Sequence, residues 1–229
     1  MIPTLLAPIS FSFGSLNRTI VADLEDHFTV DNWTDTNTQI VVNTGTAVMD
    51  YAAKSASNQA CHYDLTTVSD TAWVLRFKII ISTITDDINS VWLGVGISNS
   101  DGATTGTSAQ EAIAFNIPAD TSVAGYRLCC PEGSGYVDNT ANSTAFTRAA
   151  QAETLYVELS RQSATQAKCE LFSNSAFTTS LESQTKTINA TLAGLRYIKV
   201  QNKIQSGGSG VLSGTIDDIL FYNNRTTVP

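Results

Sequence analysis

His27 and His62 are the only imidazoles in the chain, and no Gly-x-Ser-x-Gly turn accompanies them. A hydrolytic triad lacks both its exposed nucleophile turn and a base in the right company. Gly94-x-Gly96 has no third glycine and no helical pattern after it, so it is not a dinucleotide-binding loop. Cys61, Cys129, Cys130 and Cys169 form no Cys-x-x-Cys pair and have no histidine at ligand spacing, which argues against structural zinc. Cys129 and Cys130 are neighbours in a strand-like stretch, so their side chains face opposite sides of a sheet and at most one pairs locally. Four buried free thiols, packed as small hydrophobes, are the other reading.

Recognition chemistry is better supplied than catalysis. Saccharide binding calls for an aromatic ring to stack on a sugar's apolar face, ringed by groups that hydrogen-bond hydroxyls. Trp92, Tyr126, Arg127 and Tyr136 are the candidates for that role, while Trp73 reads as core.

These residues must be positioned by sheets. Charged residues make up 15% of the 229 residues and hydrophobic ones 42%, so Thr, Ser, Asn and Gln supply much of the polar surface. Thr and the β-branched apolar residues suit pleated strands, and Asn, Ser and Gly suit the turns between them. Short apolar runs recur at 40–43, 47–51, 60–65, 72–81, 91–97, 112–117 and 126–130, then at 155–161, 167–173, 196–201 and 214–222. Within 72–81, Trp73, Leu75, Phe77 and Ile79 share one face and Val74, Arg76, Lys78 and Ile80 the other, as in a sandwich strand. Residues 162–166 form a polar break between two strands, and 206–210 a Gly/Ser-rich loop. Neither is long enough to separate domains, so residues 23–229 are expected to form a single domain. Residues 1–22, apolar and poor in charge, are expected to be an edge segment or an arm that reaches another copy of the chain.

The net charge of −8 repels a phosphate backbone, and no basic stripe overrides it. Arg76 with Lys78, and Arg196 with Lys199, read as solvated strand faces. No apolar stretch is long enough to span a membrane. Five Asn-x-Ser/Thr sequons, at Asn17, Asn32, Asn142, Asn189 and Asn224, lend weak support to an exported chain. The opening Met1-Ile2-Pro3-Thr4 has no basic residue ahead of its apolar run and is not a secretory signal. Either a signal was removed or the chain leaves the cell in a particle. The expected location is extracellular, on a cell surface or on a virion.

The closing residues Gly214-Thr215-Ile216-Asp217-Asp218-Ile219-Leu220-Phe221-Tyr222-Asn223 follow Leu195-Arg196-Tyr197-Ile198-Lys199-Val200. Together they resemble the last strands of the concanavalin A-like lectin and glucanase superfamily, in particular its laminin-G-like members. Residues 155–159 with 168–172 look like that family's central hairpin, and Asp31-Asn32-Trp33 fits as well. The resemblance covers about residues 23 to 224 and implies an all-β, two-sheet antiparallel jelly roll whose concave face contacts saccharides. It also implies a structural calcium at Asp217, with Asp23 or Glu25 as partners, since hard oxygen ligands suit that ion. Simple solvation of Asp217 and Asp218 at a sheet edge is the other reading. The family's glucanases place two carboxylates on one strand face, as retaining hydrolysis requires. None of the seven glutamates here is followed two positions later by Asp. The expected function is therefore non-catalytic and lectin-like. A structural subunit of an extracellular assembly is the alternative, and a polysaccharide-cleaving enzyme a weaker one.

Overall fold

Alternating apolar residues gather fifteen strands into two antiparallel sheets in the computed structural model, which describes residues 20–35, 39–53, 59–85, 91–102, 110–119, 123, 125–132, 142–204 and 210–228. Residues 1–19, Tyr136 and most of the loop at 206–210 lie outside these. The larger sheet runs β13 (Ser180–Thr187), β12 (Gln166–Phe172), β11 (Glu153–Ser163), β6 (Trp73–Thr85), β15 (Val211–Asn223), β4 (Val48–Ala53), β3 (Ile40–Asn43). A short β1 (Leu24–Asp26) also pairs with β15. The second sheet runs β10 (Ser143–Ala145), β9 (Arg127–Cys129), β8 (Ala112–Ala119), β7 (Val91–Ser98), β14 (Tyr197–Ile204), β5 (Ala60–Asp64), β2 (Thr34–Asp35). Central neighbours such as β6 and β15 are far apart in sequence, the jelly-roll connectivity expected from the resemblance. No helix occurs among the described residues, so none there is long and apolar enough to cross a membrane.

The core forms where the two inner faces meet. Leu75, Phe77 and Ile79 of β6 and Leu155, Val157 and Leu159 of β11 oppose Leu93, Val95 and Ile97 of β7 and Ile113, Phe115 and Ile117 of β8. Phe77 and Phe115 approach across the sheets with centroids 6.4 Å apart. The entry of the chain is tied down by buried Asp26, whose carboxylate accepts bonds from the Phe28 amide at 2.7 Å and the Trp33 indole at 2.8 Å.

Asp218 and Ile219, between the Asp217–Lys78 and Leu220–Arg76 pairs, form a bulge in β15, with Asp218 at φ +53°. The bulge falls where the outer neighbour of β15 changes from β4, paired at Leu212–Ile216, to β1, paired at Ile219–Phe221. The larger sheet thus keeps a partner on both sides of β15 despite the brevity of β4 and β1.

All four cysteines are buried free thiols. Cys130 belongs to the core, whereas Cys129 lies on the opposite face and accepts a bond from Asn116 Nδ2 at 3.1 Å. Two basic residues read as solvated are in fact covered. Arg76 is 6% exposed, pairs with Glu158 at 2.8 Å, donates to the Val228 carbonyl and lies 4.3 Å from the Phe177 ring centroid. Lys199 is wholly buried. Strand alternation distinguishes two faces but does not say that the outer one is wet; the loops and the chain's last residues decide that.

Candidate functional site

The outer face of the seven-stranded sheet carries a set of buried polar groups in register. Antiparallel partners project to the same side of a sheet, so each cross-strand pair extends a row. In one row Gln201 of β14, Gly94 of β7, Asn116 of β8 and Arg127 of β9 stand side by side. In the next lie His62, Lys199, Gly96, Ala114 and Cys129. On the other flank lie Lys203, Trp92 and Pro118.

Small residues make this arrangement possible. Trp92, Ala112 and Ala114 form a small buried cluster with Val123 packed against it. Positions 94 and 96 of β7 carry no side chain. At Gly96 a Cβ would come within 2.2 Å of the Ile113 carbonyl oxygen, so only glycine lets β7 and β8 approach so closely.

Trp92, Asn116 and Gln201 are buried, and among the described residues Trp92 Nε1, Asn116 Oδ1 and Gln201 Oε1 each lack a hydrogen-bond partner. Buried polar atoms are almost always paired, and three adjacent exceptions are unusual. They offer one donor and two acceptors, a set that hydroxyl groups can match. Beside them Lys199 Nζ donates to the Gly102 carbonyl at 3.0 Å and to Gln110 Oε1 at 3.3 Å. Burial pulls its pKa down to about 7, against the opposing influence of Asp101.

The expected site residues divide. Trp92 and Arg127 do lie on this face, but Trp92 is 0% exposed, which corrects its reading as an open stacking platform. Arg127 is half-buried and donates from Nε to Ser143 Oγ at 2.6 Å. Tyr126 is a correction of another kind, because it belongs to the core. Its hydroxyl donates to Glu153 at 2.6 Å, and its pKa is raised chiefly by burial. Asn116 and Gln201 were not singled out from the sequence, and Lys199 was read only as part of a solvated strand face. The available signal was an asparagine inside β8, whose eight residues are all buried.

The calcium residues do not converge. Asp23 accepts the Asn223 amide at 2.6 Å, while Glu25 faces His27 Nε2 at 2.9 Å. Asp217 instead joins Asp218 and His27, whose potential ligand atoms lie within 4.8 Å of one another. Those groups already satisfy each other: Lys78 Nζ reaches Asp217 at 3.4 Å, the Asp218 amide donates to Asp217 at 2.8 Å, and His27 Nδ1 faces Asp218 at 2.9 Å. Carboxylates face both ring nitrogens, an arrangement that favours the protonated imidazole, and the pKa of His27 is raised, by Glu25 first and then Asp218. Two carboxylates and an imidazole, already engaged by Lys78 and by each other, are not a cage of hard oxygen ligands.

Glu111 and Glu132 face each other across an isolated antiparallel bridge. Each uses a carboxylate oxygen to hold backbone: Glu111 accepts the Ala193 amide at 2.7 Å and Glu132 the Asn189 amide at 2.6 Å. Both carboxylates therefore anchor loop backbone.

Fold and face together define a concanavalin A-like β-sandwich. The chain is similar in fold to lectin I from Ulex europaeus, solved with the methyl glycoside of α-L-fucose, at 11% identity and a TM-score of 0.53 over 86% of this chain and 95% of that one. A legume lectin-like domain from Entamoeba histolytica matches at 12% identity and TM-score 0.51, over 90% and 99%. A glycosyl hydrolase family protein from Mycobacterium fortuitum matches at 8% and 0.55, over 89% and 100%. No protein-family model and no curated protein matches the sequence.

Proposed function

We propose that this protein is a non-catalytic, lectin-like domain that binds a neutral polyhydroxylated ligand, a saccharide, on the outer face of its seven-stranded sheet and works outside the cell. The observation that carries this reading is the trio of unpartnered polar atoms on Trp92, Asn116 and Gln201. A pair of sugar hydroxyls can donate to the two amide oxygens while one of them accepts from the indole. The fold likeness to lectins supports the ligand class, and the low content of charged residues suits a neutral partner.

Glycan-array screening followed by calorimetry tests it. Binding of a saccharide that Asn116→Ala and Gln201→Ala each weaken by about tenfold, as expected for loss of a buried hydrogen bond, supports the assignment. Binding unaffected by both substitutions moves the ligand elsewhere. The alternative would be the 480 Å³ groove on the opposite sheet, lined by residues including Gln39, Asp50, Ser82, Ser213 and Thr215. No binding to any glycan, with a single ordered water bridging the three atoms in a crystal, refutes the reading. Turnover of a polysaccharide, abolished by one Asp or Glu substitution, would replace it with an enzyme. The structural-subunit alternative depended on residues 1–22, of which 1–19 lie outside the described residues.

A further inference from the structure

We propose that the end of the sandwich beneath residues 188–196 holds a small inorganic anion, a halide, between Arg161 and Trp73. These residues are direct antiparallel partners on β11 and β6. Alternation places both side chains inside the sandwich, because Leu159 and Val157 on one strand and Leu75 and Phe77 on the other line the core. Both are 0% exposed.

Among the described residues the guanidinium hydrogen-bonds only to backbone carbonyls: Nε to Ser163 at 3.3 Å, and Nη2 to Ala164 at 3.1 Å and Leu192 at 2.7 Å. Arg161 Nη1 and Trp73 Nε1 have no partner. Two adjacent, fully buried residues thus each present an N–H with nothing to receive it. Asp70 and Glu111 act on Arg161 from longer range, and burial outweighs them. Their carboxylates are engaged by the same loop, Asp70 accepting the Gly194 amide at 3.0 Å and Glu111 the Ala193 amide. Arg161 is therefore a buried cation without a counter-ion in contact, although buried charges are normally paired.

Because the two residues stand side by side across the strands, one partner can serve both; it must then accept from two donors, carry negative charge and be small enough for a close-packed interior. A halide meets all three conditions. Water meets the first and third but leaves the charge uncompensated and brings two hydrogens of its own.

Melting curves at constant ionic strength, with sodium chloride replacing sodium gluconate, test the site. Chloride that binds only the folded state raises Tm by about 3–5 °C for each tenfold increase above half-saturation. Trp73→Phe keeps an aromatic ring but removes the donor, and Arg161→Met removes the charge; both are expected to lose the chloride-specific rise. If Arg161→Met does not fold, Trp73→Phe carries the comparison. A bromide-soaked crystal should show an anomalous peak within hydrogen-bond reach of both nitrogens. Superimposable curves in chloride and gluconate, a rise that survives Trp73→Phe undiminished, or density at that point without bromide signal would each overturn the proposal, the last by identifying a water.

Discussion

Lys199 shows how a residue's surroundings can reverse its surface chemistry. Its folded pKa of about 7 lies below the usual 10.5, so the folded chain disfavours the charged form. Below pH 7 both states are protonated and folding bears the full cost of burying the charge. Between pH 7 and 10.5 the unfolded state binds more protons, so stability rises with pH across that window. Lys199→Met is expected to stabilise the protein by on the order of 3 kcal/mol more at pH 6 than at pH 10, measured by urea unfolding at both. Arg76 and Glu158 make a second case, with side chains 8% and 12% exposed. Glu158→Gln removes the carboxylate charge beside a buried guanidinium and should cost about 3 kcal/mol, while the double change Arg76→Met with Glu158→Met should cost much less. A double-mutant cycle in urea measures the difference. Neither residue was legible as buried from the sequence. Lys199 and Arg76 sit at outward positions of amphipathic strands, and their cover comes from parts of the chain distant in sequence. Trp92 was named from the sequence, but its burial was not legible, because the small residues near it matter only once β7 and β8 are side by side.

At the scale of elements, strands that bury one face announced themselves, and those that bury neither did not. β6, β11 and β15 were readable because their apolar residues alternate. β13 was missed: its eight residues, Ser180–Thr187, show exposed and half-buried positions in turn and bury none. Its place is set by the backbone ladder it forms on β12. β1, β2 and β10 are two or three residues long and too short for any period to show. The attachment of β1 to β15 is reinforced by His27, placed between Glu25 and Asp218. Because the folded pKa of His27 is raised above 6.5, its contribution is fully present below pH 6.5 and disappears as pH rises through the folded value. His27→Ala should therefore destabilise the protein at pH 5.5, by less than about 1 kcal/mol because the site is half exposed, and should have no effect well above the folded pKa. Urea midpoints at the two pH values check this. The same cluster governs the metal question. Since Lys78 and His27 already neutralise Asp217 and Asp218, EDTA is expected to leave the melting curve unchanged, and a clear fall in Tm would establish a bound cation after all.

For the whole molecule, the proposed neutral ligand implies that affinity depends little on ionic strength despite a net charge of −8. Calorimetry of a binding saccharide in 50 mM and 500 mM salt should agree within about twofold, whereas a steep salt dependence would indicate a charged ligand. The fold was legible because closing-strand residues and alternation agree on one architecture. The site was less so, because it is assembled from β7, β8 and β14, which meet only through long connections. The four buried thiols carry one more consequence. Cys61 lies in β5, Cys129 in β9, Cys130 just after it and Cys169 in β12, so both sheets contain a silent chemical reporter. A thiol reagent can modify each only when its strand opens, and under fast reclosing the labelling rate reads the free energy of that opening. Peptide mapping over time would then rank the strands by how readily they come apart. Cys129 is expected to label first, since β9 has only the three-residue β10 outside it, and Cys169 later, behind the full length of β13.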